Sequence, residues 1–181
     1  MAEPAPQAPP RALLLTGGRG AGKTTLCLRL AAAFPGRFAG LACPALFGAE
    51  GRKVGFLARD LRTGEEWELG RSDRDLDGPR TARFSFSRGG LDRAVSVLRL
   101  ALEDGGRIAV IDEIGPLELR QGLGFAPVLP LLAGAGDLLV VVRPELVGEI
   151  AALLPRHRAE TIVLTEGNGD RPQGRTRMAT R

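Results

Sequence analysis

The sequence is poor in the residues that define several protein classes. Among its 181 residues it has no tyrosine, one tryptophan, two methionines and two cysteines. Cys27 and Cys43 lack both metal-site spacing and the density of a disulfide scaffold, which favours a reducing cytoplasm. No apolar run approaches the roughly 18 residues that a transmembrane helix needs. Residues 1–10 hold four prolines and no basic region, so no signal peptide is expected. We therefore expect a soluble cytoplasmic protein without a membrane partner.

The net charge of +4 is concentrated at one end of the chain. Residues 170–181 contain four arginines and one aspartate, so the preceding 169 residues are almost neutral. A nearly neutral body offers no basic face, and we expect no nucleic-acid partner. The 25 basic residues include two lysines, Lys23 and Lys53, and each lysine stands out for that reason.

Length and composition predict a single folded domain. An apolar fraction of 44% over 181 residues suits one hydrophobic core. We place the domain at residues 11–169. The proline-rich leader, residues 1–10, and the basic tail, residues 170–181, are predicted to be disordered because neither can bury enough apolar surface.

Apolar runs and helical periodicities alternate along the domain. Strands are predicted at residues 12–16, 107–111, 138–142 and 160–164, helices at residues 22–34, 91–102 and 144–154, and a β-hairpin at residues 53–61 and 65–69. This alternation is typical of an α/β fold, with a mostly parallel central sheet flanked by helices. The hairpin is then an insertion after the first helix.

The turn after the first predicted strand has the pattern of a phosphate-binding loop. Residues 17–24 read Gly-Gly-Arg-Gly-Ala-Gly-Lys-Thr, which satisfies Gly-x4-Gly-Lys-Ser/Thr, and the loop lies between a strand and a helix as this motif requires. Lys23 is predicted to bridge the β- and γ-phosphates, and the Thr24 hydroxyl to bind Mg²⁺. The predicted nucleotide-binding residues are Gly17, Gly18, Arg19, Gly20, Ala21, Gly22, Lys23, Thr24 and Thr25.

A second acidic motif follows the strand predicted at residues 107–111. Asp112 is expected to hold Mg²⁺ from the end of a parallel strand next to the strand of the phosphate-binding loop. The adjacent Glu113 is suited to orient and deprotonate an attacking water, which makes it the candidate catalytic base. Arg143 follows another strand that we place beside the first one, and it is either a γ-phosphate contact or a partner in a surface ion pair.

These motifs together resemble a known family. Residues 112–119, Asp-Glu-Ile-Gly-Pro-Leu-Glu-Leu, the phosphate-binding loop and Lys53-Val-Gly-Phe56 resemble the small nucleoside-triphosphatases of the cancer-related type. The resemblance covers about residues 11–169. It implies a RecA-like P-loop core and slow, Mg²⁺-dependent hydrolysis of ATP, GTP or other nucleoside triphosphates. Glu118 matches the last acidic position of the family motif.

Two alternatives remain at this stage. In a small kinase, residues 71–88 would form a lid whose arginines are Arg71, Arg74, Arg80, Arg83 and Arg88. In a nucleotide-gated binding module, slow turnover would time association with an unknown protein partner through the hairpin. Glu113 beside Asp112 favours activation of water and therefore hydrolysis.

Overall fold

The computed structural model describes residues 8–165. Its strands are β1 (Arg11–Gly17), β2 (Phe38–Ala42), β3 (Ala45–Phe47), β4 (Lys53–Asp60), β5 (Glu66–Arg71), β6 (Ser85–Phe86), β7 (Ile108–Ile114), β8 (Leu138–Val142) and β9 (Arg158–Leu164). Its α-helices are α1 (Lys23–Ala33), α2 (Arg88–Glu103), α3 (Pro116–Gln121) and α4 (Val147–Ala152), with 3₁₀ segments at Ala126–Gly134 and Pro144–Leu146. Residues 1–7 of the predicted leader and the whole predicted tail, residues 170–181, lie outside this range.

One mixed sheet organises the domain. Its strand order is β6-β5-β4-β2-β7-β8-β1-β9, and β3 pairs with β4. The five strands from β2 to β9 in this order are parallel, whereas β3, β4, β5 and β6 pair antiparallel. The α/β fold and the mostly parallel central sheet are confirmed, and the hairpin extends that sheet at one side.

Helices cover both faces of the central parallel strands, which explains why β2 and β8 are continuously apolar. Every residue of β2 and β8 is buried. On one face, α2 packs Leu91, Leu98 and Leu102 into the larger core cluster. On the other face, α1 contributes Cys27, which is fully buried in a smaller cluster. None of the helices within residues 8–165 is long and apolar enough to cross a membrane.

The last predicted helix is shorter than the sequence indicated. We expected one helix over residues 144–154, but the segment starts as the 3₁₀ turn Pro144–Leu146 and becomes α-helical only over Val147–Ala152. The backbone N–H of Leu146 donates to the carbonyl of Arg143 at 2.9 Å, which is the three-residue spacing of a 3₁₀ turn. A 3₁₀ turn at the start of an α-helix is common, and it shortens the α-helical part of this segment to six residues.

The order of the strands also differs from our expectation. Asp112 was predicted to follow a strand next to β1, but β8 lies between β7 and β1. The carboxyl ends of parallel strands share one edge of the sheet, so Asp112 still lies at the same edge as the phosphate-binding loop. The strand next to β1 is β8, which ends immediately before Arg143 as predicted.

Candidate functional site

The phosphate-binding loop joins β1 to α1 as the sequence predicted. Gly17, Gly20 and Gly22 have positive φ values of 141°, 81° and 89°, a region that glycine enters without strain. A Cβ on Gly17 would lie 2.2 Å from the carbonyl oxygen of Leu164 in the neighbouring β9. This position therefore has no room for a side chain, and the tight loop depends on glycine there.

The first turn of α1 is open to an anion. Gly22 is its N-cap, and among the described residues no side chain caps this turn and none of its residues is acidic. Backbone N–H groups at a helix start carry a partial positive charge and bind phosphate well when they lack internal partners. Gly18, Arg19 and Gly20 are exposed at the crest of the loop, Ala21 is half-buried, and Thr25 is exposed on the helix.

Lys23 lies across the mouth of the loop. Its Nζ donates to the carbonyl oxygens of Gly17 and Gly18, each at 2.8 Å. An ammonium group has three N–H donors, so one remains for a phosphate oxygen. These two hydrogen bonds hold the Lys23 ammonium group beside the loop, where the motif places it for contact with phosphate.

Asp112 is a buried carboxylate with defined partners. Its side chain is 3% exposed, and Oδ2 accepts a hydrogen bond from the backbone N–H of Cys43 at 2.9 Å. Burial raises the pKa of Asp112 to about 6, against the lowering effect of the bond from Cys43, of the nearby Thr24 hydroxyl and of the Lys23 charge. Asp112 and Thr24 thus bring two hard oxygen donors together, which fits a Mg²⁺ ion that takes its other ligands from phosphate and water.

Glu113 and Arg143 form an ion pair at the same edge. Glu113 Oε1 accepts from Arg143 Nε at 3.0 Å and lies 2.9 Å from its Nη2. Glu113 occupies an irregularity in the pairing of β7 with β8, where the register shifts between Asp112 and Ile114. Such bulges redirect side chains next to functional sites. Both side chains are about one-third exposed, so the pair faces the open edge of the sheet.

Glu118 is a buried carboxylate that binds backbone N–H groups. Its Oε2 accepts from the N–H of Gly115 at 2.8 Å, and its Oε1 accepts from the N–H of Phe125 at 3.3 Å. Gly124 has a φ of 61°, and a Cβ there would lie 2.3 Å from Glu118 Oε1. Burial raises the pKa of Glu118 to about 7, opposed by the backbone donors. The carboxylate therefore ties α3 to the segment after it.

The raised pKa of Glu118 predicts a pH-dependent stability. A carboxyl whose folded pKa lies above its unfolded value contributes stability below about pH 4.5 and loses it as the pH rises through about 7. Glu118→Gln removes this titration, so the thermal midpoint of the variant should fall less over that range than that of the wild type. Melting curves across the range measure both slopes. If the thermal midpoints of the two proteins change with pH in parallel, the raised pKa of Glu118 is contradicted. Asp112, whose pKa is also raised, is present in both proteins, so its contribution cancels in the comparison.

The arginine-rich segment that a kinase would use as a lid is bound to its own carboxylates. Arg71 pairs with Glu68 and Asp73, Arg74 with Glu68, and Arg80 with Asp75. Arg83 instead lies 5.2 Å from the Phe84 ring centroid. Three of the five lid arginines are therefore already engaged within residues 68–80.

Sequence reasoning missed two contributors to the site. Cys43 acts through its backbone N–H, 69 residues away from Asp112, and a backbone donor leaves no pattern in the side chains. Gly124 makes room for the Glu118 side chain. In the sequence alone this glycine cannot be distinguished from an ordinary turn residue. An ion pair of Arg143 was among the alternatives, but the sequence did not identify Glu113 as the partner.

Comparison with known sequences agrees with this geometry. A model of the family described as NTPase matches residues 12–175. A nucleoside-triphosphatase THEP1 of Thermofilum pendens is 31% identical over 165 residues, which cover 87% of this chain and 88% of that protein. A protein of the same name from Methanopyrus kandleri is 32% identical over 115 residues, and the match spans 62% of each chain.

Solved structures with this fold are also found. The crystal structure of THEP1 from Aquifex aeolicus superposes with a TM-score of 0.63 at 20% identity, covering 85% of this chain and 90% of that one. The solution structure of a human cancer-related nucleoside triphosphatase gives a TM-score of 0.61 at 24% identity, with 87% and 90% covered. At these identities the two structures establish the P-loop fold. The family match over residues 12–175 establishes more: the chain belongs to the NTPase family, the small P-loop nucleoside-triphosphatases that its motifs resemble.

Proposed function

We propose that this protein hydrolyses nucleoside triphosphates to the diphosphate and phosphate, slowly, with Mg²⁺ and with little preference for the base. The observation that carries the proposal is the convergence of Lys23, Asp112 and the Glu113–Arg143 pair at one edge of the parallel sheet. The family supports hydrolysis of a triphosphate. Slow turnover and broad base use follow from the resemblance described above.

Some residues of the site bind the phosphate chain and Mg²⁺, and others take part in the reaction. The loop N–H groups and Lys23 hold the phosphate chain, and Thr24 with Asp112 are the residues that would hold Mg²⁺. When bound, the ion neutralises charge on the phosphate oxygens. Phosphoryl transfer needs little covalent help from a protein, so positioning and charge carry most of the catalysis.

Glu113 is the proposed base. Its carboxylate lies one residue after Asp112 and is open to the edge of the sheet, where it can accept a proton from an attacking water. Arg143 holds one oxygen, Oε1, and leaves Oε2 available. The guanidinium is thus close to the reacting group and can meet negative charge that grows on the terminal phosphate.

Arg143→Ala is expected to lower kcat more than it raises KM. The charge that Arg143 meets increases in the transition state, so the loss should appear mainly in the chemical step. Steady-state kinetics with a triphosphate and binding of the matching diphosphate measure the two effects. If the variant weakens diphosphate binding as much as it lowers kcat, Arg143 is instead a contact of the ground state.

Phosphate release distinguishes hydrolysis from transfer. The purified protein is assayed with ATP, GTP, CTP, UTP and their deoxy forms, with Mg²⁺ or with a chelator, and with or without small phosphate acceptors. We expect Mg²⁺-dependent phosphate release with every base and no dependence on the acceptor. Product that forms only when an acceptor is present would favour the kinase alternative and contradict the proposal.

A further inference from the structure

Lys53 lies beyond the edge of the sheet that carries the proposed active site. β2 runs parallel to β7 and ends at this edge, where Leu41 pairs with Ile111, the residue before Asp112. β4 is antiparallel to β2, and the last pair between them joins Ala42 to Arg59. From Arg59 back to Lys53, β4 therefore continues past the edge.

The β3–β4 pair supports Lys53 at this place. Phe47 at the end of β3 pairs with Lys53, and Ala45 at its start pairs with Phe56. β3 begins two residues after Cys43, whose N–H binds Asp112. Strands β3 and β4 thus connect the segment that binds Asp112 to Lys53.

Two aromatic rings hold the Lys53 ammonium group. Its Nζ lies 5.5 Å from the ring centroid of Phe56 and 6.0 Å from that of Phe84, and the two rings meet edge to face at 5.1 Å. Ring faces attract a cation but provide no hydrogen-bond acceptor of normal strength. Within residues 8–165 Lys53 has neither a hydrogen-bonded partner nor a carboxylate at ion-pair distance. Its three N–H donors remain available.

The charge of Lys53 interacts with the proposed active site through space. Burial lowers the pKa of Lys53, and the charge of Arg83 lowers it further. The carboxylates of Glu113 and Asp112 act in the opposite direction and raise it. The lysine on the antiparallel extension is therefore close enough for its charge to interact with the two carboxylates at the end of β7.

We propose that Lys53 binds the terminal phosphate of the triphosphate, as a contact delivered by the antiparallel extension. This inference rests on the proposed function. The P-loop side of the site supplies Lys23, and Lys53 would add a second ammonium charge near the Glu113–Arg143 pair at the end of β7. Glu113 is already bound by Arg143, so it does not require Lys53 as a partner. An ammonium group is a compact point charge and suits a phosphate oxygen.

The unmodified protein provides the first test, because its sequence contains two lysines. The rate of amine labelling at Lys23 and at Lys53 is measured by peptide mass spectrometry, with a non-hydrolysable triphosphate, with a diphosphate and without nucleotide, all with Mg²⁺. We expect both nucleotides to protect Lys23 and only the triphosphate to slow labelling of Lys53, by about tenfold.

Each outcome of the labelling experiment leads to a decision. If the triphosphate protects Lys23 but leaves the rate at Lys53 unchanged, the inference is wrong and the proposed function stands. Equal protection of Lys53 by diphosphate and triphosphate also overturns the inference, since the terminal phosphate is then not the contact. If neither nucleotide binds or protects Lys23, the proposed function itself fails.

Variants provide the second test. Lys53→Met should weaken binding of the triphosphate analogue about tenfold and change diphosphate affinity by less than about twofold, whereas Lys53→Arg should restore most of the loss. Arg52→Met is the matched control, because Arg52 is the adjacent cation, 81% exposed and paired with Glu50. We expect this control to change neither affinity. An unchanged ratio of triphosphate to diphosphate affinity in Lys53→Met would overturn the inference, and the labelling result decides if that variant does not fold.

Discussion

Tight binding of a nucleoside triphosphate is expected to be lost in Lys23→Ala. Lys23 is held across the loop by two carbonyl oxygens and has one donor left for phosphate. Removing a charge-assisted contact to a phosphate chain costs roughly 1.5 to 3 kcal/mol, which is an affinity loss of roughly 10- to 150-fold. Calorimetry with a non-hydrolysable analogue and Mg²⁺ measures this loss.

The control for Lys23→Ala is a second charge on the same helix. Arg29 is exposed on α1, about one and two-thirds turns further along, and Arg29→Ala removes the same formal charge away from the loop. Its nucleotide affinity should stay within about twofold, because exposed charges of this kind contribute little. Unchanged affinity in Lys23→Ala would contradict the assignment of the phosphate-binding loop.

Glu113→Gln is expected to keep nucleotide binding and to lower turnover by roughly 100-fold or more, since general base catalysis contributes about that much. The amide cannot accept the proton of the attacking water. It can still accept a hydrogen bond from Arg143, so the local geometry should be retained. Single-turnover hydrolysis and analogue binding measured on the same preparation separate the two effects.

Two comparisons make the Glu113→Gln result specific. Glu145→Gln removes an exposed carboxylate two residues after Arg143 and should leave turnover within about twofold. If Glu113→Gln itself stays within that range, Glu113 is not the base. Glu118 would then be the next acidic candidate, although both of its oxygens accept hydrogen bonds from the backbone.

The sequence alone determined the parts of this protein that depend on neighbouring residues. The phosphate-binding loop is a contiguous motif, and its glycines, Lys23 and Thr24 lie where that motif places them. Strand β8 has the predicted bounds, because a short run of apolar residues between turn residues is a local signal. Helix α2 was predicted from a spacing of three and four residues, and of the residues that carry this spacing Leu91, Leu98 and Leu102 are buried and Val95 is half-buried.

Only the tertiary structure decided which of these local elements meet. The placement of β8 between β1 and β7 results from pairing of segments far apart in the chain, and periodicity does not specify strand order. The ion pair of Glu113 with Arg143 spans 30 residues, and the bond from Cys43 to Asp112 uses a backbone N–H that every residue other than proline possesses. Lys53 stood out in the sequence as one of two lysines, but its relation to the proposed active site depends on how far β4 extends past the edge of the sheet. Local residue patterns specify the elements and their chemistry, whereas contacts between distant segments are set by how the chain packs those elements against both faces of the sheet.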